Sequence, residues 1–335
     1  MKNRTKSILS ITLLTLSLFG CNDCDEIFWK KCDPEPMGKK GFFEMNLLDI
    51  STEPSKREVN ILFQVLDENK IGVDDIVKVD LDVLENNEFI DTETGLRIDP
   101  GHIPSKIKTI FLIDISSSIS RQVQQIKDAS IALIDSKLPN QEFAIFTFDK
   151  DLYKLQDFTT DTNLLKQKIN SIPSSELENS TNLYGALIKL TNNSLVSWNE
   201  EFSTTNILAI NLILFTDGRH NADPSITLQN VLQFTINKKI YVAALQSPDL
   251  REDPLKEIAN QKYFLANNID QLRNTFQEVQ SNIKKTSNSI YFLFYRSTIS
   301  NPASRQNTLE IRIRNNTNNL NSGRIKTVFN SQGFN

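Results

Sequence analysis

A chain of 335 residues with 39% hydrophobic and 23% charged side chains is long enough for two compact domains, and its composition excludes wholesale disorder. A formal net charge of -4 without any long block of like charge excludes a nucleic-acid-binding arm and disfavours acidic polymers as partners. Only two histidines, His102 and His220, are present, which leaves little material for histidine-rich zinc sites or His-based acid–base chemistry.

The chain begins with Lys2, Arg4 and Lys6, followed by an apolar run over residues 8–19. That run is shorter than the ~20 residues a membrane span needs and has the length of a signal-peptide core. It ends in Leu18-Phe19-Gly20-Cys21, which resembles a bacterial lipobox, with Phe19 bulkier than the usual residue at its position. The resemblance implies cleavage after a signal peptide at 1–20, lipidation of Cys21, and export to a lipid-anchored place at the cell envelope. The outer membrane, on its periplasmic or surface face, is the working expectation, and the lipobox itself does not specify it. Stable anchoring needs more than one acyl chain, which a triacylated cysteine supplies. The plain alternative is an ordinary secretory signal followed by a structural cysteine. Loss of the three basic residues takes the formal charge from -4 to about -7. Residues 21–40 lack periodicity and contain Pro34, Pro36 and Gly38, so they read as a tether. Within it Cys24 and Cys32 either form a local disulfide or remain free thiols. Trp29 and, further on, Trp198 read as packing or anchoring residues. No later stretch is apolar enough to span a membrane.

Residues 41–105 read as β-structure. Runs at 42–50 and 59–66 look like strands, the second closed by a turn at Asp67-Glu68-Asn69. Over 76–84 apolar and polar residues alternate, with Val77, Val79, Leu81 and Val83 on one side, which predicts a half-buried strand. A turn at Glu85-Asn86-Asn87 leads into a short run at Phe89-Ile90.

From 106 to 286 strands and helices alternate, as expected for a mostly parallel sheet covered on both faces. Buried strands are predicted at 108–115, 143–148, 207–215 and 240–245, with further strands at 152–158 (an edge) and 262–266. Val123, Ile126, Ala129 and Leu133 mark a helix over 119–138, and Leu183, Ala186, Leu187 and Leu190 another. Asp223-Pro224 and Asp253-Pro254 each read as an N-cap beside a first-turn proline. Ile269, Leu272, Phe276, Val279 and Ile283 define a last amphipathic helix. Strands return over 287–335, at 289–295, 308–314 and 324–329. Neither flank holds enough strands for an independent sandwich. Together they supply about seven, the number in an immunoglobulin-like sandwich. The predicted fold is therefore a doubly wound, mostly parallel six-stranded α/β sheet, Rossmann-like in layout, inserted in or flanked by an immunoglobulin-like β-sandwich.

Three segments carry chemistry. Asp114-Ile115-Ser116-Ser117-Ser118 follows the first α/β strand, Ser180-Thr181-Asn182-Leu183 opens a helix, and Phe215-Thr216-Asp217-Gly218 ends a later strand. If the strand order is 3-2-1-4-5-6, the first and fourth strands flank the point where the order reverses, and ligands bind outside their carboxyl ends. Carboxylate and hydroxyl oxygens are hard ligands, suited to Mg²⁺, Mn²⁺ or Ca²⁺ rather than to zinc or copper. Each segment alone is commonplace: a serine-rich turn, a threonine N-cap, an Asp-Gly turn.

Together they resemble the metal-ion-dependent adhesion site of von Willebrand factor A and integrin I domains, at Asp114, Ser116, Ser118, Thr181 and Asp217. The resemblance spans about residues 105–286. It implies that Ser116, Ser118 and sometimes Thr181 touch the cation, most readily Mg²⁺, while Asp114 and Asp217 act partly through water. The cation then takes an Asp or Glu side chain from a protein partner. In that family the final helix shifts along its axis when the site rearranges. Here that helix leads straight into the strand at Ser289, so the resemblance implies a pull on the β-domain. Ser120-Arg121 follow the motif where some integrin chains carry acidic residues, which speaks against a neighbouring regulatory metal.

No Gly-x-Ser-x-Gly, phosphate loop, His-Glu-x-x-His or Cys–His pair is present in a folded region, so the expectation is a protein-binding module and no enzyme. The alternative is a structural or scaffolding envelope protein that binds partners without metal. His220 reads as a solvated loop residue or a shaper of the site's rim. Asp149-Lys150-Asp151 reads as a solvated hairpin turn, and the sequon Asn179-Ser180-Thr181 carries no weight in an exported bacterial chain.

Overall fold

The computed structural model describes residues 41–90, 95–100, 105–173, 179–248, 250–300, 306–317 and 323–335. The predicted signal peptide, the 21–40 tether with Cys21, Cys24, Trp29 and Cys32, and also His102, lie outside the described residues. The described residues belong to one unit, Met37–Asn335.

The first strands are β1 (Glu44–Glu53), β2 (Glu58–Leu66), β3 (Leu81–Glu85), β4 (Glu88–Phe89) and β5 (Arg97–Pro100). The α/β part runs β6 (Ser105–Asp114), α1 (Val123–Asp135), β7 (Gln141–Phe148), β8 (Leu152–Thr159), α2 (Thr162–Asn170), α3 (Leu183–Thr191), β9 (Glu201–Phe202), β10 (Ile207–Thr216), α4 (Leu228–Thr235), β11 (Lys239–Leu245), α5 (Glu252–Ile258), β12 (Lys262–Ala266) and α6 (Ile269–Asn288). The chain closes with β13 (Ile290–Arg296), β14 (Gln306–Ile313) and β15 (Arg324–Asn330).

The α/β sheet has the order β12-β11-β10-β6-β7-β8, which is the predicted reversal with β6 and β10 side by side at its centre. It is parallel except for β8, which runs antiparallel to β7 at one edge, and the short β9, which adds a seventh strand antiparallel to β10. Both faces are dry. On β6, Ile107, Phe111 and Ile113 face a core completed by α1, α2 and α6, while Ile110 and Leu112 face the α3, α4 and α5 side. That is why the central strands read as unbroken apolar runs. Phe276 of α6 packs edge-on against Phe111 at 5.5 Å and Phe215 at 6.4 Å, fixing the helix over the middle of the sheet.

The two chain ends share sheets. β2 pairs with β13 in a sheet ordered β1-β2-β13-β5, and β3 pairs with β14 in a sheet ordered β15-β14-β3-β4. One core, with Ile61, Phe63, Tyr291, Leu293, Ile311 and Phe329, is drawn from both.

Several local expectations need correction. The predicted strand over 76–84 forms only from Leu81, because the Asp80 carboxylate accepts the Val77 N–H at 2.8 Å and closes a short helical turn over Lys78–Asp80. Val77 and Val79 are consequently exposed, while Leu81 and Val83 are buried. The helix predicted over 119–138 begins as a tight 3-10 turn, Ser117–Gln122, and becomes α-helical at Val123. Asp223-Pro224 caps no helix: α4 starts at Leu228 with Thr227 as its cap, and the Asp223 side chain instead accepts from the Ser225 N–H and hydroxyl. Asp253 and Pro254 lie inside the first turn of α5, where a missing N–H is harmless. Helix α2, capped by Asp161, and the strands β5 and β9 went unpredicted.

The α/β part is fixed to the sheet β1-β2-β13-β5. Ile207 joins Leu62, Ile290 and Phe292 in a small apolar cluster. The Thr204 N–H donates to Asp49 at 2.8 Å, and Gln64 donates from β2 to the Thr286 carbonyl at the end of α6 at 3.2 Å. Gly72 lies against that same helix end: a Cβ there would sit 2.4 Å from the Lys285 carbonyl oxygen.

Candidate metal centre

Asp114 is the last residue of β6 and is fully buried. Its Oδ1 accepts the Ser116 N–H at 2.9 Å, and its Oδ2 accepts the Thr216 hydroxyl at 2.7 Å across the β6–β10 seam. Burial pushes its carboxyl from the ordinary 3.8 up to about 7, against hydrogen bonds from Ser116 and Thr216 that pull it down, and the nearby Asp217 charge adds to the rise. The chain then turns tightly, which brings the Ser116 and Ser118 hydroxyls within 3.1 Å of each other.

Asp217 follows the end of β10 and is also fully buried. Its Oδ1 accepts the Arg219 N–H at 3.1 Å, and its carbonyl accepts the Arg251 N–H at 2.9 Å. Gly218 has a φ of +81°, and a Cβ there would meet the Arg251 carbonyl oxygen at 2.6 Å, so both conformation and space call for glycine.

Thr181 precedes α3, but the helix is capped by Asn182, whose Oδ1 accepts the Gly185 N–H at 3.0 Å. The threonine hydroxyl is thus not spent on capping. Its Oγ1 and the Oδ2 of Asp217 are both buried and have no hydrogen-bond partner. Such orphaned oxygens are costly, and a hard cation satisfies them. Among the described residues no three His, Cys, Asp or Glu side chains gather as a metal-ligand cluster. The five candidate residues offer two carboxylates and three hydroxyls, oxygens that would suit an oxygen-seeking divalent ion.

Residues 109–219 match the family model described as the von Willebrand factor type A domain. The chain carries a von Willebrand factor type A domain. Solved structures similar to it include the von Willebrand factor domain of the type V pili tip protein Mfa5 from Porphyromonas gingivalis, at 16% identity and a TM-score of 0.44, covering 54% of this chain and 96% of that one. The conserved hypothetical protein BatB from Bacteroides thetaiotaomicron is 19% identical with a TM-score of 0.43, covering 53% of this chain and 99% of that one. Proximal thread matrix protein 1 from the mussel byssus, solved with zinc in its MIDAS motif, is 18% identical with a TM-score of 0.43, covering 54% of this chain and 48% of that one. No curated protein matches the chain in sequence.

Around the A-domain site the loops lock together. The Asp149 carbonyl accepts the Asn182 N–H at 2.7 Å, which ties the turn to the Thr181 segment; Asp149 is buried, while Lys150 and Asp151 are exposed as read from the sequence. His220 is half-buried rather than solvated: it stacks on Tyr184 at 4.1 Å, and its Nε2 lies 2.8 Å from the Asp223 carbonyl oxygen. Trp198 packs as expected, donating from Nε1 to the Leu190 carbonyl at 2.6 Å. The side chains of Ser120 and Arg121 lie outside the described set. Thr216, which holds Asp114, and Asn221, which holds Thr181 by accepting its N–H at 2.7 Å, were not anticipated. The only sequence hint of Thr216 is a hydroxyl ending an otherwise apolar strand. Nothing distinguishes Asn221 from any loop asparagine.

Proposed function

We propose that this chain is a non-enzymatic, metal-ion-dependent protein-binding module, held at the cell envelope by lipid on Cys21. The observation that carries the reading is that two site oxygens, Thr181 Oγ1 and Asp217 Oδ2, are buried without a partner, with Asp114 also buried and near enough to Asp217 to feel its charge. Asp114, Ser116, Ser118, Thr181 and Asp217 would hold the cation, Mg²⁺ by preference. Most of these donors are neutral hydroxyls, so the ion keeps enough positive character to attract a partner's Asp or Glu. That carboxylate is the recognition element.

Adhesion or scaffolding fits better than catalysis. Both Asp114 oxygens are already engaged by Ser116 and Thr216, which leaves that carboxylate poorly placed as a general base. We read the two antiparallel sheets as an immunoglobulin-like sandwich interrupted by the A domain. Its role would be to present the site away from the envelope, on an outer-membrane protein facing the periplasm or the surface.

The test is calorimetric titration of Mg²⁺ and Mn²⁺ into the full chain beside a Ser116→Ala, Ser118→Ala double variant. The wild type is expected to bind saturably and the variant about a hundredfold more weakly or not at all. Unchanged binding in the variant would remove the hydroxyls from the site. No binding in either would turn the function toward metal-free scaffolding.

A further inference from the structure

Thr181 is held in place by a loop 40 positions away in sequence, not by the helix it precedes. Its N–H donates to Asn221 Oδ1 at 2.7 Å, while its carbonyl accepts from the N–H groups of Asn221 at 2.9 Å and Ala222 at 3.1 Å. Asn182 and His220 pair in an antiparallel bridge beside these bonds. The Asn221 amide also reaches back to the Asn179 carbonyl at 3.4 Å. This one side chain therefore ties the threonine segment to the loop that begins at Asp217.

We infer that Asn221 is a positioning residue that acts through Thr181 to set the preference of the site for Mg²⁺ over Ca²⁺. The inference rests on the metal-binding reading of the site and adds to it a residue that touches no cation.

The physical basis is the difference in what the two ions tolerate. Mg²⁺ demands near-ideal oxygen positions at roughly 2.0–2.1 Å, whereas Ca²⁺ accepts a looser shell at roughly 2.3–2.6 Å. Removing the Asn221 acceptor leaves the Thr181 N–H without its partner, but the two backbone bonds from Asn221 and Ala222 remain. The segment stays in place and loses its exact alignment. That loss falls on the small ion.

Calorimetry with Mg²⁺ and with Ca²⁺ on the full chain tests this, using Asn221→Ala, Thr181→Ala and the double variant, together with amide exchange at Thr181 without metal. Asn221→Ala is expected to weaken Mg²⁺ binding about tenfold and Ca²⁺ binding no more than about threefold. On the Thr181→Ala background the same change should cost nothing further, since its effect runs through the missing hydroxyl. Amide exchange at Thr181 should speed up about tenfold, with Phe215 in the sheet unaffected, and Asn221→Asp, which keeps the acceptor, should restore protection. Equal losses for the two ions would overturn the inference, as would a loss that persists undiminished without the Thr181 hydroxyl. A wild-type chain that binds neither ion would overturn the metal reading and with it the ion preference. In that event unchanged exchange at Thr181 in Asn221→Ala would overturn the positioning as well, and faster exchange would uphold it.

Discussion

Between pH 6 and pH 8 the affinity of the chain for Mg²⁺ is expected to rise about tenfold, because Asp114 must ionise to accept a cation and does so near pH 7. The same group makes the metal-free fold pH-sensitive in the opposite sense. Its folded value, about 7, lies above the ordinary 3.8. A carboxyl raised on folding contributes stability that is fully present below the lower value and lost as pH rises through the upper one. The span corresponds to on the order of 4 kcal/mol for so deeply buried a group. Thermal melts of the metal-free chain should therefore fall from pH 5 to pH 8, and Asp114→Asn should flatten that fall. Added Mg²⁺ should raise the wild-type melting temperature more at pH 8 than at pH 6. A wild type and an Asp114→Asn variant with parallel pH profiles would show that Asp114 ionises normally.

Replacing Gly72 by alanine should destabilise the chain by about 3 kcal/mol, measured as a shift in the urea midpoint at unchanged slope. The reason is location. A Cβ at Gly72 would lie 2.4 Å from the Lys285 carbonyl oxygen and 2.6 Å from the Thr286 Cα. The three nearest atoms are all backbone, so no side-chain rotation relieves the contact, and either the segment or the end of α6 must move. Movement there also disturbs the Gln64 bond to the Thr286 carbonyl and the Val65 N–H bond to the Ser289 carbonyl at 3.0 Å. Gly95→Ala is the control. That residue has a φ of +71° with nothing within 4 Å of its would-be Cβ, so it should cost only about 1 kcal/mol of backbone strain. Equal costs at the two positions would mean that the backbone around Gly72, which has no positive φ to strain, gives way cheaply and that the close approach does not matter.

Much of the fold was legible because its signals are local and periodic. The central strands β6 and β10 are buried on both faces, so they appear as unbroken apolar runs. Helix α6 follows a 3.6-residue stripe whose Leu272, Phe276, Val279 and Ile283 are all buried as predicted. Where a short-range pattern met a competing side chain it misled. The alternation from Ile76 to Leu84 is broken by the Asp80 carboxylate, and Asp223-Pro224 has the composition of a cap with its carboxylate turned to Ser225. Helix α2 was missed because only Leu165 and Ile169 of its residues are buried, too few to make a stripe.

The sequence by itself determined the strand and helix alternation and nominated the five side chains of the candidate site. Each depends on residue type and spacing within a few turns of chain. Tertiary structure alone decided which oxygens are left unsatisfied. Asn182 takes the helix cap and frees the Thr181 hydroxyl, Thr216 reaches across a seam to Asp114, and Asn221 closes a loop over Thr181. It also decided that Gly72 must be glycine, through a helix end more than 200 residues away. Bonds and contacts between such distant segments leave no period in a single sequence. They exist only once the sheet has brought the strand ends together.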